Sequence, residues 1–312
     1  MRKVENTVHL EGYLYENNLE MKVTGPNSKS PNTPYITGTI TIATDEECTN
    51  IVPVHYTYVT PTTSSGKTNP AYNTLANIAE GNYGNVMANG KDKAVKLRID
   101  TSIGLNEFYS DKNGKEELVS VKRNEGGFIH VTDTIASDDL GRNNFKCDIL
   151  ITKTTMIEAD EERQTSDKVI VKGYIFDFRN AILPVEFSIT NPNGMNYFLS
   201  LEASEKNPTF TSIRGTQISE TIVRKITEES AFGDDYVREV TSTRKDYMIV
   251  TASKTPYAWD EDGSITAKEL QEMIAARETY LATIKQRQDE YKASKTVSAT
   301  ASIAVSKDNF NF

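Results

Sequence analysis

Apolar and polar residues alternate with a period of two along most of the chain. Residues 35–42 (YITGTITI) and 94–99 (AVKLRI) are clear cases, rich in Thr, Val, Ile and Tyr. Clusters of Asn, Gly, Pro and Ser separate such stretches. Alternation of this kind places one face of a sheet on a core and the other toward water, so the fold class is mainly β. Two segments break the period. In residues 70–81, Tyr72, Leu75 and Ile78 fall three apart before Gly81, which predicts a short helix after a Thr/Ser-rich loop at 61–69. Residues 266–293 predict a long amphipathic helix with an apolar stripe of Leu270, Met273, Ile274, Leu281, Ile284 and Tyr291, polar at Arg277. Thr266 and Glu269 form a capping box at its start. The helix packs on its own domain or makes a dimer or partner contact. Residues 294–312, rich in Ser, Thr and Ala and ending in Phe310 and Phe312, predict a flexible tail.

The strand pattern repeats. Residues 8–16 (VHLEGYLYE) match residues 169–177 (VIVKGYIFD), with Gly12 and Gly173 in register, and Tyr35 and Tyr197 fall at nearly the same offset. A duplicated β-domain follows. The polar, acidic stretch EADEERQTSD reads as the linker. The expected organisation is a first domain at 1–157, a linker at 158–168, a second β-domain at 169–265, the helix at 266–293 and the tail at 294–312.

Charge and chemistry narrow the function. The 312 residues carry 35 Lys and Arg against 44 Asp and Glu, a net charge of −9, which argues against coating duplex DNA by bulk charge but leaves room for a local basic groove. No apolar run is long enough for a membrane helix, and no apolar segment follows Met1, Arg2 and Lys3 as a secretory signal would require, so a cytoplasmic protein is expected. Cys48 and Cys147 are too few for a disulfide framework or a thiolate zinc site, and they read as reduced thiols. His9, His55 and His130 lack metal-ligand spacing.

Gly66-Lys67-Thr68 resembles the end of a phosphate-binding loop, but the required first glycine falls on Pro61, so Lys67 reads instead as a basic residue on a loop. Asp260, Asp262, Gly263 and Glu269 sketch part of a calcium loop whose first ligand position is Ala258. An acidic helix N-terminus explains them as well. With no motif for nucleophilic, metal or nucleotide chemistry, neither an enzyme nor a cofactor is expected.

The outward strand faces carry aromatics and cations together. His9, Glu11, Tyr13 and Tyr15 share one face of their strand. Tyr35 lies outward with threonines, and Lys96, Arg98 and Lys122 point away from their apolar neighbours. Tyr56 and Tyr58 share parity with Val52 and Val54 and are expected in the core. Rings that stack on unpaired bases beside cations that follow phosphates are what single-strand binding requires, although a strand Tyr more often packs a sheet.

The order of features over residues 4–132 resembles the single-stranded-DNA-binding proteins with an OB-fold. Residues 8–14 resemble the opening strand, 35–44 the second, and 51–56 the third, followed by the helix at 72–80. Residues 94–100 and 107–117 resemble the fourth and fifth strands with their basic hairpin. The terminal KDNFNF resembles the Phe-ended tip by which such proteins recruit replication partners. The only tryptophan is Trp259, outside the first domain, and a second OB-like domain is suggested, which looks more like a bacteriophage or prophage relative acting in a host cytoplasm.

The resemblance implies tandem OB-like β-barrels followed by the long helix and the flexible tail. It further implies single-stranded DNA as partner in replication or recombination, with replication proteins at Phe310 and Phe312. Tyr13, Tyr15 and Tyr35 are the expected stacking residues. Lys22, Lys67, Lys96, Arg98, Lys112, Lys115 and Lys122 are the expected phosphate contacts. Tyr174, Phe176 and Arg179 are candidates in the second domain. The alternative is a structural or assembly protein, such as a virion or tail component, in which the helix is an oligomer contact.

Overall fold

The computed structural model describes residues 4–112, 115–159, 166–228, 230, 232, 236–258 and 264–307. The alternating stretches are strands. β1 (Asn6–Val23), β2 (Pro34–Ala43) and β3 (Ile51–Val59) precede helix α1 (Pro70–Ala79) and the short α2 (Val86–Asn89). β4 (Lys96–Lys112) and β5 (Lys115–Val131) form a long hairpin, and the short α3 (Asp139–Arg142) leads into β6 (Asn143–Ile157). β7 (Lys168–Phe176), β8 (Ile182–Ile189), helix α4 (Pro192–Ser200), β9 (Thr209–Glu228), β10 (Tyr236–Ala252) and helix α5 (Ala267–Lys307) complete the order. The buried sets follow the pattern: Val8, Leu10 and Leu14 in β1, Ile36, Ile40 and Ile42 in β2, and Val169, Val171 and Ile175 in β7. Among the described residues no helix is long and apolar enough to cross a membrane.

Pairing closes two barrels of one topology. In the first, β1 pairs with β2 and β4, β2 with β3, and β4 with β5, all antiparallel. A short parallel contact, Val54 beside Asn124, joins β3 to β5 and shuts the barrel. In the second, β6 pairs with β7 and β9, β7 with β8, and β9 with β10. The parallel contact Met248 beside Ser188 closes it. Each barrel is thus a five-stranded OB-like barrel with a helix between its third and fourth strands. The helices start alike. Asn69 and Asn191 cap α1 and α4 with their side-chain oxygens, and Pro70 and Pro192 supply the first turn. Leu75 and Ile78 plug the first barrel and Phe198 the second.

These pairings move the expected domain boundary. β6 falls within the expected first domain at 1–157, but it is the opening strand of the second barrel. The acidic stretch at 158–168 therefore lies within that barrel, between its first two strands, and residues 160–165 are outside the described residues. A connection between two strands of one barrel and a linker between domains share the same composition.

The expected repeat is also out of step. Residues 8–16 belong to a first strand and residues 169–177 to a second strand, while Tyr197 lies in α4. The likeness arises because Gly12 and Gly173 meet one need at the crossing of first and second strands. A Cβ at Gly12 would run into the carbonyl of Ala43, and one at Gly173 into the carbonyl of Leu150.

The barrels share a core. β1 and β6 pair antiparallel from Asn6–Cys147 to Leu10–Asn143, and a single apolar cluster runs through both barrels by way of Phe145, Cys147 and Ile149. The Asn6 side chain donates to the carbonyls of Ile103 (2.9 Å) and Phe176 (3.0 Å) and accepts from the Ile103 amide.

α5 lies along both barrels. Its capping box forms as expected, with the Glu269 amide donating to the Thr266 hydroxyl (3.1 Å) and the Thr266 amide to the Glu269 carboxylate (2.9 Å). Leu270 and Met273 pack on a small cluster of Leu150, Phe176, Ile182, Phe210 and Ile265. Two positions of the expected stripe depart, since Ile274 and Tyr291 are exposed, while Leu281 and Ile284 are half-buried. Polar residues anchor the helix instead. Arg277 forms an ion pair with Glu107 at 2.5 Å, and Gln288 bonds both backbone groups of Tyr109. Lys285 and Lys292 both reach Glu116. Helical backbone continues to Lys307, beyond the expected end at 293, and residues 308–312 are outside the described residues.

Candidate nucleic-acid interface

The first barrel presents an aromatic face where β1, β2 and β3 meet. Tyr35 on β2 and Tyr58 on β3 lie with ring centroids 4.8 Å apart, tilted by 39°. Lys22 on β1 is the cross-strand partner of Tyr35 and is exposed, paired with Glu20. Tyr56 is fully buried as expected, but Tyr58 is 49% exposed. The alternation of β3 ends at Tyr56, and the β2–β3 pairing shifts register between Ile36 and Gly38. That shift turns the last strand residues outward.

A cleft of about 300 Å³ lies beside Tyr58, with Phe128 of β5, Thr62 and Thr63 among its lining residues. Phe128 is 71% exposed. Gly126 (φ 62°) and Gly127 (φ 108°) precede it, beside a register shift between Asp100 and Ser102. Only glycine adopts such backbone readily, and the irregularity aims Phe128 outward. Lys67 is exposed on the neighbouring loop. A Thr62–Thr68 bridge and a bond from the Thr63 amide to the Lys67 carbonyl (2.8 Å) hold that loop. Strand parity assigns Tyr58 to the core and does not distinguish Phe128. The Gly-Gly pair before Phe128 was the available signal.

Tyr13, Lys96 and Arg98 form a different patch. Tyr13 lies nine residues from Lys22 on β1, about 30 Å of strand. The ammonium groups of Lys91 and Lys96 sit 5.0 and 5.9 Å from its ring centroid. The cations here already have partners. Lys96 donates to the Asp133 carbonyl, and Arg98 pairs with Asp100, which also bonds His9 at 2.6 Å. Hydrogen bonds from Lys91 and Arg142 hold the Glu46 carboxyl down to about 2. Tyr15 is half-buried at a register shift in β1.

The remaining candidates scatter. Lys115 is exposed at the β4–β5 hairpin, and the side chain of Lys112 is outside the described residues, as are Phe310 and Phe312. Lys122 does not face open solvent. It reaches across to the second barrel, with its ammonium 4.5 Å from the Tyr247 ring centroid and 5.1 Å from that of Phe187. Burial pushes its pKa down to about 8. Tyr174 is half-buried and lines the space between the barrels. Phe176 is no stacking residue. It is fully buried, edge-on to Phe210, because the alternation of β7 ends in two consecutive buried positions. Arg179 is exposed beside the Phe178 ring.

The model of the YorF family matches residues 5–296. The chain belongs to the YorF family. No curated protein matches it. Among solved structures, this YorF-family chain is similar to a deletion mutant of the single-stranded DNA binding protein from Thermus aquaticus, with a TM-score of 0.45 and 9% identity over 84% of this chain and 100% of that one. The two-barrel assignment rests on the strand pairing itself.

Proposed function

We propose that the chain is a non-catalytic binder of single-stranded DNA, acting where replication or recombination exposes unpaired strands. The observation that carries this reading is the exposed aromatic face of the first barrel, Tyr35 against Tyr58 with Phe128 across the cleft, flanked by Lys22 and Lys67. Rings with free faces stack on bases of any sequence, and flexible cations track the phosphates. Tyr35 and Tyr58 lie on strands two and three of an OB-like barrel, where that architecture presents its groove, and Phe128 of strand five borders them.

The test is fluorescence anisotropy of a labelled oligothymidine against a duplex of equal length at two salt concentrations. Single-strand binding that weakens with salt and far exceeds duplex binding is the expected result. Absence of binding at low salt overturns the reading and favours the structural-assembly alternative.

A further inference from the structure

The hairpin of β4 and β5 leaves its own barrel and lies along the second barrel. Leu105, Ser120 and Lys122 from this hairpin face β7 and β8, and a cleft of about 590 Å³ separates them. Four lysines line it: Lys122, Lys168 and Lys172, with Lys245 from β10. Only two carboxylates line it with them. Glu186 pairs with Lys172, and Asp246 lies 3.7 Å from Lys168. Lys122 donates to the backbone carbonyl of Glu186, and Lys245 is exposed with no ion pair among the described residues.

The cleft therefore holds an excess of positive charge on a chain whose net charge is −9. Gathering like charges in a partly enclosed space is unfavourable, and a polyanion relieves the repulsion. The hydroxyls of Ser120, Thr152 and Ser188 and the ring of Tyr174 are also in the lining. The ring offers a surface for a sugar or base, while the Ser120 and Thr152 hydroxyls already donate to Glu107 and to the Lys172 carbonyl.

The geometry points to a second nucleic-acid contact in this cleft. Lys122, Lys168, Lys172 and Lys245 hold the phosphodiester backbone of the bound single strand between the barrels, so that both barrels engage one DNA. This inference rests on the single-strand-binding reading above and adds a site the first barrel lacks. Lys122 fits the role, because a phosphate beside its ammonium offsets the burial that lowers its pKa.

The experiment compares the full chain with a Lys168→Ala/Lys172→Ala/Lys245→Ala variant on a long oligothymidine, with thermal melting to check the fold. Each phosphate contact contributes about 0.7 to the slope of log affinity against log salt on single strands. The triple variant is expected to lose about 2 from that slope and at least about tenfold in affinity at moderate salt. A Tyr58→Ala/Phe128→Ala variant loses affinity with its slope unchanged.

An unchanged slope in a folded triple variant, with the native chain still binding, overturns the cleft and leaves the first-barrel face standing. No binding by the native chain overturns both. Should the triple variant fail to fold, amine labelling of the native chain decides. Oligothymidine should protect Lys168, Lys172 and Lys245 from acylation, and equal labelling with and without DNA, or equal protection by duplex, overturns the proposal.

Discussion

Asn124 on β5 and Gln217 on β9 exchange two hydrogen bonds across the junction of the barrels. Asn124 Nδ2 donates to Gln217 Oε1 at 2.8 Å, and Gln217 Nε2 donates to Asn124 Oδ1 at 3.0 Å. Both residues are buried. The backbone of Gln217 is bound as well. Its amide donates to Asn143 Oδ1, and its carbonyl accepts from Asn143 and Asn50. A buried amide with every group satisfied favours one arrangement of the two barrels, since any slip strands polar groups away from water.

Gln217→Ala removes both side-chain bonds between the two amides and leaves buried Asn124 with only the Pro53 carbonyl and the Tyr247 hydroxyl as side-chain partners. The expected cost is about 1–3 kcal/mol. Urea unfolding checks it, and a double-mutant cycle with Asn124→Ala should show coupling, because the second loss finds the bonds already gone. Additive effects would mean that the pair does not act as a unit. The shared core also predicts one cooperative transition for both barrels, so two separated unfolding steps would contradict it.

Lys122→Met should stabilise the protein near neutral pH. Burial lowers the Lys122 pKa to about 8 from the usual 10.5, with Asp246 and Glu186 as the acidic groups facing it and opposing the shift. Below about pH 8 the lysine is charged in both folded and unfolded states, and the cost of burying that charge is fully present. As pH rises from about 8 toward 10.5 the folded state releases the proton first, the unfolded state binds more protons, and stability rises. The gain from Lys122→Met is therefore expected to be on the order of 1–3 kcal/mol at pH 7 and to shrink as pH approaches 10. A gain that stays constant across that range would rule out the buried charge as its source.

Arg277→Ala should be costly for a surface helix. The Glu107 side chain is 1% exposed, and it is held by Arg277 and by the Ser120 hydroxyl. Removing the guanidinium leaves a buried carboxylate, which typically costs about 3–5 kcal/mol. Arg277 also donates to the Ile182 carbonyl at 3.3 Å, so the same change loosens α5 from the second barrel. Proteolysis of native protein should then cut within residues 267–292 sooner than in the parent. A melting temperature equal to the parent's would sink this account.

The strands, the plugging helix α1 and the capped start of α5 were legible because period-two and period-3.6 patterns report directly which face is buried, whereas α4 was hidden by the apparent match of Tyr197 to the strand residue Tyr35. The positions that aim side chains were not. Gly12 and Gly173 looked equivalent in sequence because both relieve the same strand crossing, yet they sit on different strands of their barrels. Tyr58 followed the parity of Tyr56 in sequence, but a register shift in the paired strand exposes it. Arg277 read as an interruption of an apolar stripe, whereas its charge finds Glu107, a partner 170 positions away that no local pattern reveals.

The two aromatic patches of the first barrel predict opposite mutational outcomes. Tyr58 and Phe128 are exposed at 49% and 71%, so replacing either with Ala removes little packing. Each substitution should weaken oligothymidine binding by about 1–3 kcal/mol, the usual value of one base stack, with the melting temperature nearly unchanged. Arg98 differs, because its guanidinium already pairs with Asp100 in a network with His9. A phosphate would have to compete for it, so Arg98→Ala should change affinity by less than about 0.5 kcal/mol, within the range of an exposed ion pair. Tyr13 has cations near its ring and should behave like Arg98. Anisotropy titrations of the four single variants measure the contrast. If Tyr13→Ala and Arg98→Ala abolish binding while Tyr58→Ala and Phe128→Ala do not, the strand lies on the β1–β4 face and the groove is assigned to the wrong side of the barrel.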